Sequence, residues 1–304
     1  QPDNWGAIKG GKTGINKKVK RLKKIWHNPH YKKIREEISK KAIKNLTIGF
    51  KKEFLEKAIK TKIKKRKDTS LKLELENNYF FVNKKIHFNN AKINFSNKDK
   101  QNKIILPKEI TPELAEEIGI HLGDGCLSYN RKYFSVKTNK KEKEYMLNFL
   151  FPLYKKLYNL DLKLMELPSV VGFEIYSQAI FEFKNKVLEI PYGEKVGKIK
   201  VPKAVLTSRN KEIYRALIRG LFDTDGCVNI VKTKKNYPVV SFTIKSEKLI
   251  KQVEKMLFKL GFIPYVGKWR IDINGKIMLE KWIKEINSNN PKNLLKLKQA
   301  SSSA

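Results

Sequence analysis

Acidic residues, cysteine and long apolar runs are all scarce in this 304-residue chain, and each shortage limits the classes of protein to which the chain can belong. Only 30 Asp and Glu stand against 66 Lys and Arg, which gives a formal net charge of +36. Two cysteines exclude a disulfide framework and favour a reducing compartment, so we expect a cytoplasmic or nucleoid-associated protein of a prokaryote, or an organellar matrix protein. Because no apolar run could span a bilayer, the positive charge indicates a polyanionic partner, most often nucleic acid.

The positive charge is densest in the N-terminal quarter of the chain. Residues 1–70 hold 23 Lys and Arg against 6 Asp and Glu. Two helices are predicted there because apolar residues recur every four positions in two sets: Ile34, Ile38, Ala42 and Phe50, Phe54, Ala58. Two interpretations stay open, helices with solvated lysine faces and a helical extension that contacts DNA phosphates. Residues 71–106 alternate between apolar and polar types, with Asn-rich turns, and predict short strands.

Two later segments of the chain repeat each other. Each opens with a predicted helix, because Thr111 before Pro112 and Asn210 in the second segment are good N-caps. The helices end in GDGC at 123–126 and TDGC at 224–227, and the strand-like FSVKT at 134–138 and FEIYS at 173–177 match FTIKS at 242–246 and WRIDI at 269–273. We therefore expect an α+β fold with these parts: a first half at 107–190, a linker at 191–210, a second half at 211–298 and a flexible tail at 299–304.

Asp124 and Asp225 end the two helices, where the helix dipole disfavours negative charge. Because both repeats place an acid there, the carboxylates are interpreted as functional. Two carboxylates beside helix-end carbonyls are the oxygen ligands that hard divalent cations prefer, Mg²⁺ above all, and near DNA such ions can activate water. The two acids would meet at one end of a helix pair that packs closely through small residues four apart: Gly119 with Gly123, and Gly220 with Thr224.

The segment IRGLFDTDG at 218–226 resembles the LAGLIDADG motif of homing endonucleases, and EIGIHLGDG at 117–125 resembles its usual degenerate first copy. The preceding segment GEKVGKIKVPKAVLTS is similar to the approach to the second motif in double-motif members. The resemblance covers roughly residues 107–298. It implies a monomer of two pseudo-symmetric αββαββα halves, with the motif helices at the central interface and saddle-shaped antiparallel sheets over the DNA major groove.

The resemblance also implies roles for individual motif residues. The last acid of each motif binds divalent metal, which by position means Asp124 and Asp225. The preceding backbone carbonyl often helps, here that of Gly123 or Thr224. The earlier acid of the second motif, Asp223, is generally structural, and the first motif has leucine in its place.

Basic residues complete the predicted site. The family uses one per half to stabilise the phosphoryl transition state, and the candidates are Lys198 or Lys200 and, by the internal repeat, Lys296 or Lys298. Lys137 and Lys245, at strand ends near the acids, are predicted phosphate contacts, with solvated strand ends as the alternative. Further DNA contacts are predicted at these positions: Arg131, Lys132, Lys232, Lys234 and Lys235.

Two other signals receive structural interpretations. His121 lies three residues before Asp124, but Phe222 fills the matching place in the second half, so a packed histidine is favoured. GAIKGGKT at 6–13 fits a phosphate-loop pattern, but no strand precedes it and no apolar helix follows it, so nucleotide binding is not expected.

These features predict a site-specific endonuclease that hydrolyses both strands of a long, asymmetric DNA target. It is expected to act as a monomer without a protein partner and to use two or more Mg²⁺ ions, with Mn²⁺ as a substitute and Ca²⁺ supporting binding without cleavage. Proteins of this kind are typically encoded within introns or inteins. Two alternatives use the same fold: an RNA-binding maturase that helps an intron to fold, and a DNA-binding regulator that has lost catalysis.

Overall fold

The computed structural model describes residues 79–82, 85–231 and 237–303. The chain divides into two units, Gln1–Asp68 and Thr69–Ala304, and the architecture below is that of the second. The predicted N-terminal helices and the predicted DNA-contacting extension lie outside the described residues.

A small hairpin and a short helix precede the repeated halves. Tyr79–Val82 (β1) and Lys85–Phe88 (β2) pair as antiparallel strands. Asn97–Gln101 (α1) is helical where the alternating pattern predicted strands. The helix forms because Ser96 caps the backbone N–H of Asp99, and the Asp99 carboxylate accepts the Ser96 N–H in return, a capping box.

The first half begins with a capped helix that runs directly into a strand. Thr111 accepts a hydrogen bond from the Leu114 N–H at 3.2 Å, as the sequence predicted for an N-cap. The sheet order is β3-β4-β6-β5, and all its pairings are antiparallel. The elements are Pro112–Asp124 (α2), Gly125–Ser128 (β3), Tyr133–Asn139 (β4), Phe151–Tyr158 (α3, entered through helical turns over 140–150), Met165–Glu166 (β5), Val170–Tyr176 (β6) and Gln178–Glu182 (α4, extended by the turn Phe183–Val187).

The second half repeats this order of elements. Asn210 caps its first helix through the Glu212 N–H at 2.9 Å. Its sheet order, β7-β8-β10-β9, corresponds strand for strand to that of the first half. The elements are Lys203–Ser208 (α5), Lys211–Asp225 (α6), Gly226–Val231 (β7), Tyr237–Thr243 (β8), Glu247–Lys259 (α7), Pro264–Val266 (β9), Arg270–Asn274 (β10), Lys276–Glu285 (α8) and Pro291–Ser303 (α9). Two four-stranded antiparallel sheets with helices confirm the predicted α+β class.

Helices α2 and α6 pack against each other over their small residues. A Cβ added to Gly119 would lie 2.2 Å from the Leu217 carbonyl oxygen, and one added to Gly220 would lie 2.1 Å from the Glu116 carbonyl oxygen. No side chain fits at these separations, so glycine is needed at both positions. The close helix contact expected from the spacing of small residues is confirmed.

The strand registers correct the predicted internal alignment by two residues. Gly125 pairs with Val136 in the first sheet, whereas Gly226 pairs with Phe242 in the second. Val136 therefore corresponds to Phe242, and the equivalence of FSVKT with FTIKS is wrong. Val136 and Phe242 pair in turn with Phe173 and Ile271, so FEIYS and WRIDI are misaligned by the same two residues. An alternating strand repeats its pattern every two positions, so such an offset is invisible in the sequence.

The cores beneath the two sheets differ in chemistry. In the second half, Phe222, Phe242 and Phe262 surround Trp282, with ring centroids 5.0–5.7 Å from the indole. In the first half, His121 takes the place of Phe222, is fully buried and stacks on Phe134 at 5.1 Å. His121 is thus packed, as the sequence favoured.

In the core of the first half, Lys184 and Glu117 form a buried ion pair near His121, and the Tyr154 hydroxyl donates a hydrogen bond to Glu117 at 2.6 Å.

Within the described part of the chain, no helix has the length and apolarity needed to cross a membrane.

Candidate metal centre

The C-terminal ends of α2 and α6 bring Asp124 and Asp225 together. A Cβ added to Gly123 would lie 2.0 Å from the Thr224 Oγ1 and 3.3 Å from the Asp225 Oδ2, so the second helix end lies directly against the first. Each acid is followed by a glycine in extended conformation, with φ −74° at Gly125 and −92° at Gly226. A Cβ on Gly125 would lie 2.6 Å from the His121 Cα, and one on Gly226 would lie 2.4 Å from the Phe222 carbonyl oxygen, so glycine is needed for the chain to pass directly into β3 and β7. The two carboxylates therefore lie at the junction of the helices and the sheets.

The fold places these two carboxylates in a poorly hydrated, negative environment. Burial raises the pKa of Asp124 to about 7, and the neighbouring carboxylates of Asp225 and Glu142 add to the shift. Burial raises the pKa of Asp225 to about 6, and the ammonium of Lys195 opposes the shift. A buried carboxylate has a raised pKa because its charged form loses hydration, and a bound cation would restore a partner for that charge.

The donor set fits a hard divalent cation. It consists of two carboxylates and the carbonyl oxygens at the ends of two helices, which are oxygen ligands of the kind that Mg²⁺ prefers. Across residues 79–82, 85–231 and 237–303, no three His, Cys, Asp or Glu side chains form a group that could hold a metal ion. A cation bound here would therefore complete its shell with water or with oxygen atoms of a bound molecule.

Among the described residues, Lys195 acts electrostatically on both acids, and the sequence did not single it out. Its Nζ donates to the Gly123 carbonyl oxygen at 2.5 Å and lies 3.5 Å from those of His121 and Leu122, the last carbonyls of α2. A cation is favoured there by the helix dipole. Burial lowers the pKa of Lys195, while Asp225 and Asp124 oppose that shift.

A local turn explains why Lys195 is in the site and Lys198 is not. The Lys198 and Ile199 N–H groups both donate hydrogen bonds to the Lys195 carbonyl oxygen. Gly197, which lies within this turn, adopts a φ of +71°. This turn leaves Lys195 half-buried and Lys198 exposed. Lys195 stands within the approach segment GEKVGKIK, and that position was the one signal that could have identified it.

The structure shows the local surroundings of the four lysines that were predicted to be catalytic. Lys200 forms an ion pair with Glu189 at 2.7 Å, and Lys198 is exposed. Lys296 and Lys298 lie on α9, which continues to Ser303 through most of the segment expected to be a flexible tail. Among the described residues, the lysine that contributes to the electrostatics of both acids is Lys195. A role for the four predicted lysines stays a prediction.

Asp223 is buried and holds a loop rather than facing the acid pair. It accepts hydrogen bonds from the Ser288 hydroxyl and, at 2.9 Å, from the Asn289 N–H. Asn290 and Asn293 donate to the backbone carbonyls of Asp223 and Phe222 at 3.0 and 3.2 Å. The loop between α8 and α9 and the start of α9 thereby supply hydrogen-bond donors to backbone carbonyls at the end of α6. Holding this loop is a structural role for Asp223, as the resemblance implied.

Glu142 is a further residue of this region that sequence reasoning missed. It is buried, lies close enough to raise the pKa of Asp124, and forms an ion pair with Lys292. Asn290 also donates to it, at 3.3 Å. Because these partners come from the loop and α9, Glu142 joins the second half of the fold to the first beside the metal centre.

The predicted DNA contacts lie on and around the sheets. Lys137 lies on β4 and pairs with Glu174 at 2.8 Å, and Lys132 lies over the Tyr129 ring with its Nζ 3.5 Å from the centroid. Arg131 and Lys245 are exposed. The two-residue register offset means that Lys137 corresponds to Thr243, so Lys137 and Lys245 are not symmetry equivalents. Three predicted contacts lie outside the described residues: Lys232, Lys234 and Lys235.

Residues 212–290 match the family model described as LAGLIDADG-like domain. The chain is 29% identical over 174 residues to the replicative DNA helicase DnaB of Synechocystis and 26% identical over 169 residues to a glutamine–fructose-6-phosphate aminotransferase of Methanocaldococcus jannaschii. These matches cover 53% and 55% of this chain but only 19% and 14% of the relatives. The chain thus spans less than a fifth of either curated relative.

Among solved structures, the chain is similar to I-DmoI in complex with DNA and Mn, with 18% identity, a TM-score of 0.42, and coverage of 58% of this chain and 96% of that one. It is also similar to the homing endonuclease I-LtrWI bound to target DNA, with 16% identity, a TM-score of 0.42, and coverage of 63% and 89%.

Proposed function

We propose that this chain, which contains a LAGLIDADG-like domain, is a metal-dependent endonuclease that cuts both strands of double-stranded DNA at a specific, long and asymmetric target. The observation that carries the proposal is the pair of half-buried carboxylates, Asp124 and Asp225, at the abutting ends of α2 and α6. Raised pKa values at both acids are typical of a functional site, because burying two carboxylates side by side destabilises a fold unless their charge is used.

Asp124, Asp225 and the carbonyl oxygens of Gly123 and Thr224 would hold the divalent ion. When bound, such an ion lowers the pKa of a coordinated water and neutralises charge on a phosphate. The protein itself orients the carboxylates through the close α2–α6 contact and keeps them half-buried. Lys195 supplies a second positive charge at the same place, where it would stabilise negative charge on a scissile phosphate.

The rest of the molecule supports DNA as the substrate. A net charge of +36 favours association with a polyanion and predicts affinity that falls steeply as salt rises. The two sheets carry polar side chains on the face opposite their cores, and each sheet begins immediately after one of the acids. DNA lying across both sheets would therefore place its phosphates over the acid pair.

The curated relatives do not point to a helicase or transferase activity. A replicative helicase and an aminotransferase catalyse unrelated reactions, and the similar segment is a minor part of each. A segment common to such different enzymes is better explained by an element inserted into their chains than by their own catalytic machinery.

The test uses the full chain and a target obtained by selecting cleaved duplexes from a randomised library. Asp124→Asn and Asp225→Asn should each abolish double-strand cleavage with Mg²⁺ or Mn²⁺ and leave binding in Ca²⁺ intact. Asp161→Asn is the matched control, because Asp161 is an exposed carboxylate paired with Lys155 at 2.8 Å, remote from the helix ends. Cleavage that persists in both Asn variants would refute the metal centre.

Two alternatives remain as outcomes of this assay. A chain that binds a structured intron RNA tightly and cuts no DNA is a maturase. A chain that binds one duplex specifically but cuts none with Mg²⁺ or Mn²⁺ is a DNA-binding regulator. The acid pair favours the nuclease over both, because neither alternative requires two half-buried carboxylates side by side at the helix ends.

A further inference from the structure

The corrected strand registers reveal the same cross-strand row of side chains in both sheets. Each row begins two residues after a metal-centre acid, runs across the first three strands in the sheet order and lies on the sheet face opposite the core; in the second sheet it continues to Tyr265 on β9. The rows are Cys126, Ser135 and Glu174 in the first sheet, and Cys227, Ser241 and Asp272 in the second. The misaligned sequence repeat hides this correspondence.

Both rows have, on their third strand, a carboxylate that is paired with a cation. Glu174 forms an ion pair with the Lys137 ammonium at 2.8 Å. It also accepts hydrogen bonds from the hydroxyls of Tyr133 and Tyr176 at 3.2 and 3.1 Å. Asp272 accepts from the Arg270 Nε at 2.6 Å, and the Arg270 Nη2 also donates to the Ser241 hydroxyl at 3.2 Å.

The two cations occupy equivalent rows although they come from different strands. Lys137 on β4 pairs with Gly172, and Arg270 on β10 pairs with Thr243. The absence of a side chain at Gly172 makes room for Lys137, because an added Cβ would lie 3.0 Å from the lysine Cγ. Two unrelated local sequences thus place one cation and one carboxylate at the same location in each half.

Such pairs have a clear use on a surface that faces DNA. Exposed ion pairs contribute little to stability, and a carboxylate facing phosphates is repelled unless it accepts a hydrogen bond. In the major groove, Arg and Lys donate to the O6 and N7 of guanine, and Asp and Glu accept from the N4 amino group of cytosine. One cation beside one carboxylate therefore matches both edges of a single G·C base pair.

We propose that the Lys137–Glu174 and Arg270–Asp272 pairs each read one G·C base pair in the major groove of the DNA target. The inference rests on the proposed endonuclease function. Glu174 lies two strands away from Cys126, and Asp272 lies two strands away from Cys227. At the usual strand spacing, each carboxylate is therefore about 10 Å from the cysteine that follows its Asp-Gly turn. The two base pairs therefore lie at equal distances on either side of the cleavage centre.

The two halves should differ in the strength of this readout. The guanidinium of Arg270 has a planar fork that can contact guanine O6 and N7 together, whereas the Lys137 ammonium is a point donor. We expect a stronger guanine preference at the position read by the second half.

The experiment selects bound duplexes from a randomised pool with the full-length chain and sequences them. The wild type should enrich a target with G·C pairs at two positions symmetric about its centre. Arg270→Ala should reduce the preference at one of them by roughly tenfold to a hundredfold, and Lys137→Ala should act only at the other. Asp272→Asn and Glu174→Gln should relax the same positions as their partners.

A compensating change separates base readout from a structural role. Arg270→Gln should shift the preference at its position from guanine to adenine, because glutamine contacts the N6 and N7 of adenine. Lys155→Ala, which breaks an exposed pair of the same 2.8 Å length on α3, should change no position.

Two outcomes would overturn the inference, and they are distinguishable. If the wild type neither enriches nor cuts any duplex, the proposed function fails and the inference fails with it. If the wild type enriches a target but the variants weaken binding uniformly and lower its salt dependence, these residues contact phosphates, and only the inference fails.

Discussion

Replacing Asp124 by asparagine should make the metal-free protein more stable while it abolishes cleavage. The pKa of Asp124 rises from an ordinary value of 3.8 to about 7 in the folded chain. At 1.36 kcal/mol for each pKa unit, the ionised carboxylate destabilises the metal-free fold by about 4 kcal/mol. Asparagine keeps the size of the side chain and removes that charge, so the free energy of unfolding should rise by an amount of this order.

The effect has a definite dependence on pH. Because the folded pKa of Asp124 is raised, the folded state holds a proton that the unfolded state releases, and stability falls as pH rises from about 4 to about 7. The difference between Asp124→Asn and wild type should therefore be small at pH 4 and fully developed at pH 8. Mg²⁺ should stabilise the wild type at pH 8, by about 2.7 kcal/mol at a hundred times its dissociation constant, and should not stabilise the variant.

Urea unfolding of the full chain, with and without Mg²⁺ at pH 4 and 8, measures both quantities. Asp223→Asn is the matched control: burial also raises the Asp223 pKa to about 7, but this carboxylate binds the Ser288 loop and lies outside the metal centre. It should retain the response to Mg²⁺ and lose less catalytic activity. A variant at Asp124 that is no more stable than wild type at pH 8, with a wild type indifferent to Mg²⁺, would refute the reasoning.

Three further predictions follow from other parts of the molecule. Lys195→Met should slow cleavage far more than it weakens binding, and Lys200→Met should do so less, which single-turnover kinetics beside a gel-shift titration will show; equal effects would remove Lys195 from the site. Gly220→Ala should destabilise the fold by about 3 kcal/mol or more in urea unfolding, since its Cβ would meet the Glu116 carbonyl at 2.1 Å, and an unchanged midpoint would contradict the close helix packing. Deleting residues 1–70 should weaken DNA binding and flatten its salt dependence without changing the preferred bases, and a changed base preference in the selection would assign that segment another role.

Short-range sequence patterns were sufficient to predict the two helices that carry the acids and the close contact between them. Thr111 and Asn210 start the two central helices as N-caps, and the Asp-Gly steps end them. The sequence alone therefore places both acids at helix ends. The small residues on one face of each helix were sufficient to predict the close α2–α6 contact. These features depend on neighbours within a turn or two of helix, which is the range over which sequence patterns are informative.

Strand register and the identity of the nearest cation depended on tertiary contacts. Short alternating strands look alike after a shift of two residues, so only the pairing of Gly125 with Val136 and of Gly226 with Phe242 decided the true equivalences. Lys195 reaches a carbonyl more than 70 residues earlier in the chain because of a turn at Gly197. The sequence by itself determined which residues end the helices, since caps and glycines act locally. The tertiary structure alone decided which charges face one another, since those contacts join segments that no spacing along the chain relates.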